Sequence, residues 1–166
     1  VDSIKNLSGM IKVIHGLSAK GYMIHLDIVS DGDIEYAKIL HDNLGGGDII
    51  SFHATKTTDQ IANMIGSSHG LLMFSNYENF PCVIAESMMS GKPIISSNVN
   101  GIPEHVLPEF GVLVHPRDEN ALSKKIEDFL RGDLTFDAKA IRAYALEHFG
   151  YQSVGHKFLK VYESIL

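Results

Sequence analysis

The chain has 166 residues, a formal net charge of −6, 45% hydrophobic residues and 20% charged residues. This length favours a single domain with a full core, and the acidic balance argues against nucleic acid or an anionic membrane as a partner. A single cysteine, Cys82, excludes an intramolecular disulfide framework and fits a reducing compartment, and no stretch reads as a membrane span, a signal peptide, a repeat or a low-complexity segment.

Spacing predicts a helix over about Lys5–Lys20, with Ile4, Leu7, Ile11, Ile14 and Leu17 as its apolar stripe and Gly21 as its end. Met23–Val29 follows as a strand. Asp31-Gly32 turns the chain, and Asp33 is placed to cap a helix over about Ile34–Asn43 with Ile34, Ala37, Leu40 and Leu44 inward. Gly45-Gly46-Gly47 breaks that helix, and Asp48–Phe52 is the next strand. Thr58 or Asp59 starts a short helix that turns Ile61, Met64 and Ile65 inward, and Gly70 opens a strand leading to Ser75. Further on come a strand over Gly111–Val114 and three helices. The first runs over about Glu119–Leu130, with Leu122, Ile126, Phe129 and Leu130 buried. The second, about Phe136–His148, places Ala138, Ile141 and Ala145 on one face. The third, about Tyr151–Ile165, carries Val154, Phe158, Val161 and Ile165.

The stretch SNYENFPCVIAESMMSGKPIISSNVNGIPE, Ser75 to Glu104, organises the rest. Leu71–Phe74 and Pro93–Ile95 are short apolar runs separated by a helix of about Pro81–Ser90, the pattern of a parallel βαβ unit. Pro81 suits the first helical position, while Gly91 suits a left-handed C-cap that Pro93 then enforces. The helix therefore opens at the carboxyl end of a strand, where open α/β sheets bind ligands. The backbone amides around Phe80–Val83 suit a phosphate. Glu78 and Glu86 flank them, with seven residues between, and suit sugar hydroxyls, because a carboxylate repels the phosphate itself. Amides for a diphosphate, flanked by acceptors for two sugars, fit a nucleotide-sugar site.

Glu78-Asn79-Phe80-Pro81 with Glu86, Gly91-Lys92-Pro93-Ile94-Ile95 and Gly101-Ile102-Pro103-Glu104 resemble the E-x7-E signature region of family-4 retaining glycosyltransferases. The resemblance extends over nearly the whole chain. It implies one half of a GT-B fold, with residues 1–166 forming the C-terminal nucleotide-sugar-binding domain: α/β, a doubly wound parallel sheet of Rossmann-like type. The implied activity is transfer of a sugar from a UDP- or GDP-sugar to a glycan or lipid-linked acceptor, in polysaccharide or glycoconjugate biosynthesis. Implied partners are the nucleotide sugar, the acceptor and an N-terminal GT-B domain of the same protein; nucleic acid is not among them. No metal and no cofactor are expected. The implied location is the cytoplasm, or the inner face of the membrane through the other domain.

By the same resemblance, Lys5 matches the lysine of a G-R-x5-K context that binds the donor diphosphate, and the arginine of that context would fall before Val1. A central parallel strand would precede the first helix, with Val1 as its last residue. Without it, the sheet would show unpaired edges on both sides of a gap, and an upstream segment is expected to supply it. The implied donor-binding set is Lys5, Ser75, Glu78, Asn79, Phe80, Pro81, Cys82, Val83 and Glu86, with Lys5 and Glu78 catalytic. Glu78 would meet the transferred sugar and Glu86 the ribose. The loop His53–Lys56 would lie near the base, and the last helix would cross back to the partner domain.

Each of these residues also has a plainer reading. Lys5 and Glu78 could be solvated charges, Glu86 could bridge to Lys92, Ser75 could be a plain strand end, Glu104 could cap the helix after it, and the last helices could simply cover a sheet face. Asn79 and Asn100 stand where the family often has glycine, and asparagine tolerates left-handed backbone. Cys82 reads as a buried helix-start thiol rather than a nucleophile. The nine histidines show no metal-ligand spacing; His53 and His115, at strand ends, are the two to watch. There is no P-loop, G-x-G-x-x-G or triad signature. Two other readings stay open: a GT-B nucleotide-sugar 2-epimerase, and a non-catalytic nucleotide-binding or scaffolding module.

Overall fold

The computed structural model describes residues 2–165. The helices are α1 (Asp2–Lys5), α2 (Leu7–Ala19), α3 (Glu35–Asn43), α4 (Thr58–Ser67), α5 (Cys82–Met89), α6 (Glu119–Leu130), α7 (Ala138–Phe149) and α8 (Tyr151–Glu163), and the strands are β1 (Leu26–Val29), β2 (Ile50–His53), β3 (Leu71–Met73), β4 (Ile94–Ser97) and β5 (Gly111–Val114). The chain is an α/β protein in which every strand pairing is parallel.

The strands form two sheets, β1-β2 and β3-β4-β5. Among the described residues β1 and β3 each pair on one side only; Val1, the residue assigned to a central strand, lies outside the described residues. Helix α2 ties the two pieces together. Its Leu7, Ile11, Ile14 and Leu17 share one core with Ile28 and Ile50 of the first sheet and Ile95 and Val114 of the second. On the opposite face of the second sheet, Ile84 and Met88 of α5 and Ile141 and Ala145 of α7 pack with Ile94. Adjacent residues of β4 thus serve different cores, as strand alternation requires, and burying each isoleucine contributes roughly 1.5–3 kcal/mol. All four residues of β4 are buried, as in a doubly wound sheet with helices on both faces.

The βαβ unit forms as expected. Gly91 adopts φ +70, and its N–H and that of Lys92 close the end of α5 by donating to Met88 and Ser87 carbonyls. Pro81 sits one residue earlier than expected, as the extended N-cap of α5. The stretches Gly111–Val114 and Glu119–Leu130 match their expected bounds, the helix being capped by the Asp118 carboxylate, which accepts from the Ala121 N–H.

Several expectations are corrected. The first helix does not run through from Lys5: Asn6 takes a left-handed conformation, φ 48 and ψ 44, and separates α1 from α2. Ile4 is thereby rotated off the stripe and is 48% exposed. β1 begins at Leu26 rather than Met23, which is 96% exposed and finds no neighbouring strand. Leu44, Leu130 and Ala138 are exposed, the first because the glycine turn lifts it away from α3. Helix α8 buries none of its residues. Its main packing partner is α7.

Candidate active site

Five loops converge at the carboxyl ends of the strands, as right-handed parallel crossovers require. The loop after β3 is the best anchored. Glu78 is 9% exposed, and its Oε1 receives hydrogen bonds from Lys5 Nζ at 2.5 Å and from Ser75 Oγ at 2.8 Å. Glu78 is therefore a buried, partnered carboxylate, not a solvated one. Ser75, also buried, is an orienting donor and not a plain strand end. Lys5 stays half exposed, reaching Glu78 across 73 positions of sequence.

This loop is held from two sides. Asn76 donates its backbone N–H to the Ile4 carbonyl at 2.6 Å and its side-chain amide to the Ser3 carbonyl at 2.9 Å, fixing α1 beside it. From the loop after β4, Asn100 donates Nδ2 to the Glu78 carbonyl at 2.6 Å, and Gly101 donates its N–H to the Asn79 carbonyl at 3.1 Å. A Cβ on Gly101 would stand 2.9 Å from that same carbonyl oxygen, so only glycine allows the two loops to meet. Asn100 is left-handed, φ 44. It is the asparagine that keeps the backbone shape of a glycine and adds a tether.

Helix α5 starts next to this cluster. Pro81 lends it no side-chain cap, and among the described residues no acceptor meets the Cys82 and Val83 amides. Their partial positive charge faces the strand ends. Cys82 is exposed, not buried, because the first residue of the helix projects past the core that Ile84 and Met88 fill. Glu86, one turn further, is exposed and has no partner among the described residues. The alternative bridge to Lys92 does not form, since Lys92 Nζ donates to the Ser68 carbonyl at 2.7 Å. Glu104 closes a 3-10 turn, Ile102–Glu104, rather than capping a helix.

Phe80 turns the other way, into a ring cluster with His105, at 4.9 Å between centroids, and Phe149, at 5.2 Å. His105 accepts or shares a proton with Tyr144 Oη at 3.1 Å. Burial, with His148 nearby, holds its pKa below the usual histidine value. The loop after β3 is thus braced by aromatic contacts reaching α7.

A cleft of about 290 Å³ opens at the ends of β1 and β2, between Ser30–Gly32 on one side and His53–Thr55 on the other. None of Ser75 to Glu86 lines it. His53 Nε2 donates to Asp27 Oδ1, 2.7 Å away, and His115 turns onto its neighbour's carbonyl at Pro116. Among the described residues no group of three or more His, Cys, Asp or Glu side chains is placed to hold a metal ion, and no helix is long and apolar enough to cross a membrane.

The structure brings Lys5, Ser75 and Glu78 into direct contact and sets Asn79 to Val83 and Glu86 beside them. It adds Asn76 and Arg117, which sequence reasoning missed. Arg117 Nε donates to Asn76 Oδ1 at 3.3 Å. No local pattern marks that pair, which is separated by 41 positions.

The fold is shared with known enzymes. The chain is 30% identical over 129 residues to the MMP alpha-(1->4)-mannosyltransferase of Mycolicibacterium hassiacum, covering 74% of this chain and 31% of that protein. It superposes on sucrose-phosphate synthase of Thermosynechococcus elongatus with a TM-score of 0.84 at 24% identity, covering 97% of this chain and 42% of that one. The pneumococcal O-GlcNAc transferase GtfA, solved with UDP and GlcNAc, aligns with a TM-score of 0.83 at 16% identity over 99% of this chain and 34% of its own. The chain therefore spans about a third of that curated relative and under half of those solved structures. Its structural neighbours are GT-B glycosyltransferases. Residues 1–148 match the family model for glycosyl transferases group 1, and the chain belongs to that family.

Proposed function

We propose that this chain is the C-terminal, donor-binding half of a retaining group 1 glycosyltransferase that transfers a sugar from a nucleotide sugar in glycoconjugate biosynthesis. One observation carries the reading: a buried Glu78 joined to Lys5 and Ser75, beside the uncapped amides of α5. Membership of the family supports the transferase class.

In the proposed mechanism, donor binding exchanges partners. The diphosphate takes Lys5 and the Cys82 and Val83 amides, and Glu78 then accepts hydroxyls of the transferred sugar. As the bond from the anomeric carbon to the diphosphate oxygen breaks, negative charge grows on the leaving oxygen. Lys5 and the α5 amides stabilise it, a preorganised electrostatic contribution. No metal is needed, because fixed positive charge already stands at the phosphate. Glu86, unpartnered and exposed, takes the ribose hydroxyls. The cleft between Ser30–Gly32 and His53–Thr55 takes the base. The acceptor, a glycan or lipid-linked molecule, is bound by an N-terminal domain on the cytoplasmic side.

Chemical-shift titration of the chain with UDP, GDP and their sugars, with and without a chelator, tests this. Weak binding is expected, with shifts at residues 75–86 and 53–55 and no effect of the chelator. Binding that vanishes with chelator and returns with magnesium or manganese would overturn the metal-free assignment. Shifts confined to another surface would overturn the site.

A further inference from the structure

Among the described residues, three non-glycine residues have left-handed φ: Asn6 at 48°, Asn100 at 44° and Arg117 at 66°. All three border the candidate site. Asn6 follows Lys5, Asn100 donates to the Glu78 carbonyl, and Arg117 donates to Asn76. Asparagine visits this region readily; an arginine there is strained, and such strain gathers where function holds it in place. The surrounding turn over-determines it. The Asp118 N–H donates to the His115 carbonyl and the Glu119 N–H to the Arg117 carbonyl, while the Asp118 side chain is engaged as the cap of α6.

The side chain is aimed as well as strained. Its Nε is fixed on Asn76 Oδ1, and Asn76 is itself tied twice to α1. The two terminal guanidinium nitrogens have no partner among the described residues, and no carboxylate pairs with Arg117. Lys5 differs: without ligand its charge is paired with Glu78 at 2.5 Å. A planar fork with both prongs open suits two oxygens of a phosphate.

We propose that Arg117 is a donor-binding residue whose guanidinium clamps the diphosphate of the nucleotide sugar, as the free cation beside the Lys5–Glu78 pair. This rests on the donor-binding reading above. It assigns to the β5–α6 loop a direct part in that site, with the left-handed backbone as the means of turning a long cation back toward Asn76.

Arg117→Gly removes the guanidinium and relieves the backbone. Arg117→Gln keeps the backbone demand and removes only the charge. Both are compared with wild type by chemical-shift titration with UDP, GDP, uridine and guanosine, alongside thermal melts. Both variants should bind the nucleoside diphosphate about tenfold more weakly or worse, the loss that accompanies a charge-assisted hydrogen bond. Nucleoside affinity should not change, and the melting temperature of Arg117→Gly should hold or rise. Diphosphate affinity within about twofold of wild type, or equal weakening of nucleoside and diphosphate with a lower melting temperature, would overturn the role of Arg117 alone. A wild-type chain that binds neither diphosphate at millimolar concentration would instead overturn the donor-binding reading on which it rests.

Discussion

Asn100 and Glu78 stand 22 positions apart, yet the side-chain amide of one donates to the backbone carbonyl of the other at 2.6 Å. That bond crosses from the loop after β4 to the loop after β3 and holds the buried carboxylate in register. Asn100→Gly keeps the left-handed conformation and loses the bond, an expected destabilisation of about 0.5–1.5 kcal/mol. Asn100→Ala loses both and should be worse by roughly 1 kcal/mol. Urea unfolding of the two variants gives the order; alanine equal to or better than glycine would mean the backbone conformation imposes nothing.

Lys5 has two expected tasks, one with the ligand and one without. Lys5→Ala leaves Glu78 with Ser75 as its only side-chain donor among the described residues, and a carboxylate 9% exposed is then under-satisfied. Stability should fall by roughly 1–3 kcal/mol, and Lys5→Ala with Glu78→Gln should recover most of it. Affinity for UDP or GDP should stay low in the double variant. Recovery of affinity together with stability would mean Lys5 acts only on Glu78.

Glu86 is exposed and unpartnered, so Glu86→Gln should leave the melting temperature unchanged. If the carboxylate accepts ribose hydroxyls, the loss of a charged acceptor, roughly 1.5–3 kcal/mol, weakens a ribonucleotide about tenfold or more. A 2′,3′-dideoxy analogue should bind both forms alike. Equal weakening of both ligands would count against the ribose role.

Acid should destabilise the fold through two histidines. His15 Nε2 lies 2.8 Å from Nδ1 of the buried His41, and burial and the His41 charge lower its pKa. His105 is lowered by burial and by His148. In both, the unfolded chain, with a pKa near 6.5, takes up a proton more readily than the native protein. Stability is then full above about pH 6.5 and falls as the pH drops through the lowered native values. His15→Gln and His105→Gln should each flatten this acid limb in melts taken from pH 8 to pH 5. An unchanged limb in both would assign it to other groups.

The sequence by itself determined the elements whose signals are local. Alternating and clustered apolar residues marked β3, β4 and β5. Gly91 marked the end of α5, because a left-handed glycine acts on its immediate neighbours. The motif residues from Glu78 to Glu104 pointed to a glycosyltransferase, and residues 1–148 match the group 1 family model.

Only the tertiary structure decided what depends on distant partners. The helical period runs unbroken through Asn6, so nothing local announced the left-handed break that turns Lys5 toward Glu78. Helix α8 has the same amphipathic period as buried helices, yet none of its described residues is buried. The Lys5–Glu78, Asn100–Glu78 and Arg117–Asn76 contacts join segments 73, 22 and 41 positions apart. Periodicity and capping reach one or two turns; contacts at such separations exist only once parallel crossovers gather the strand ends at one edge.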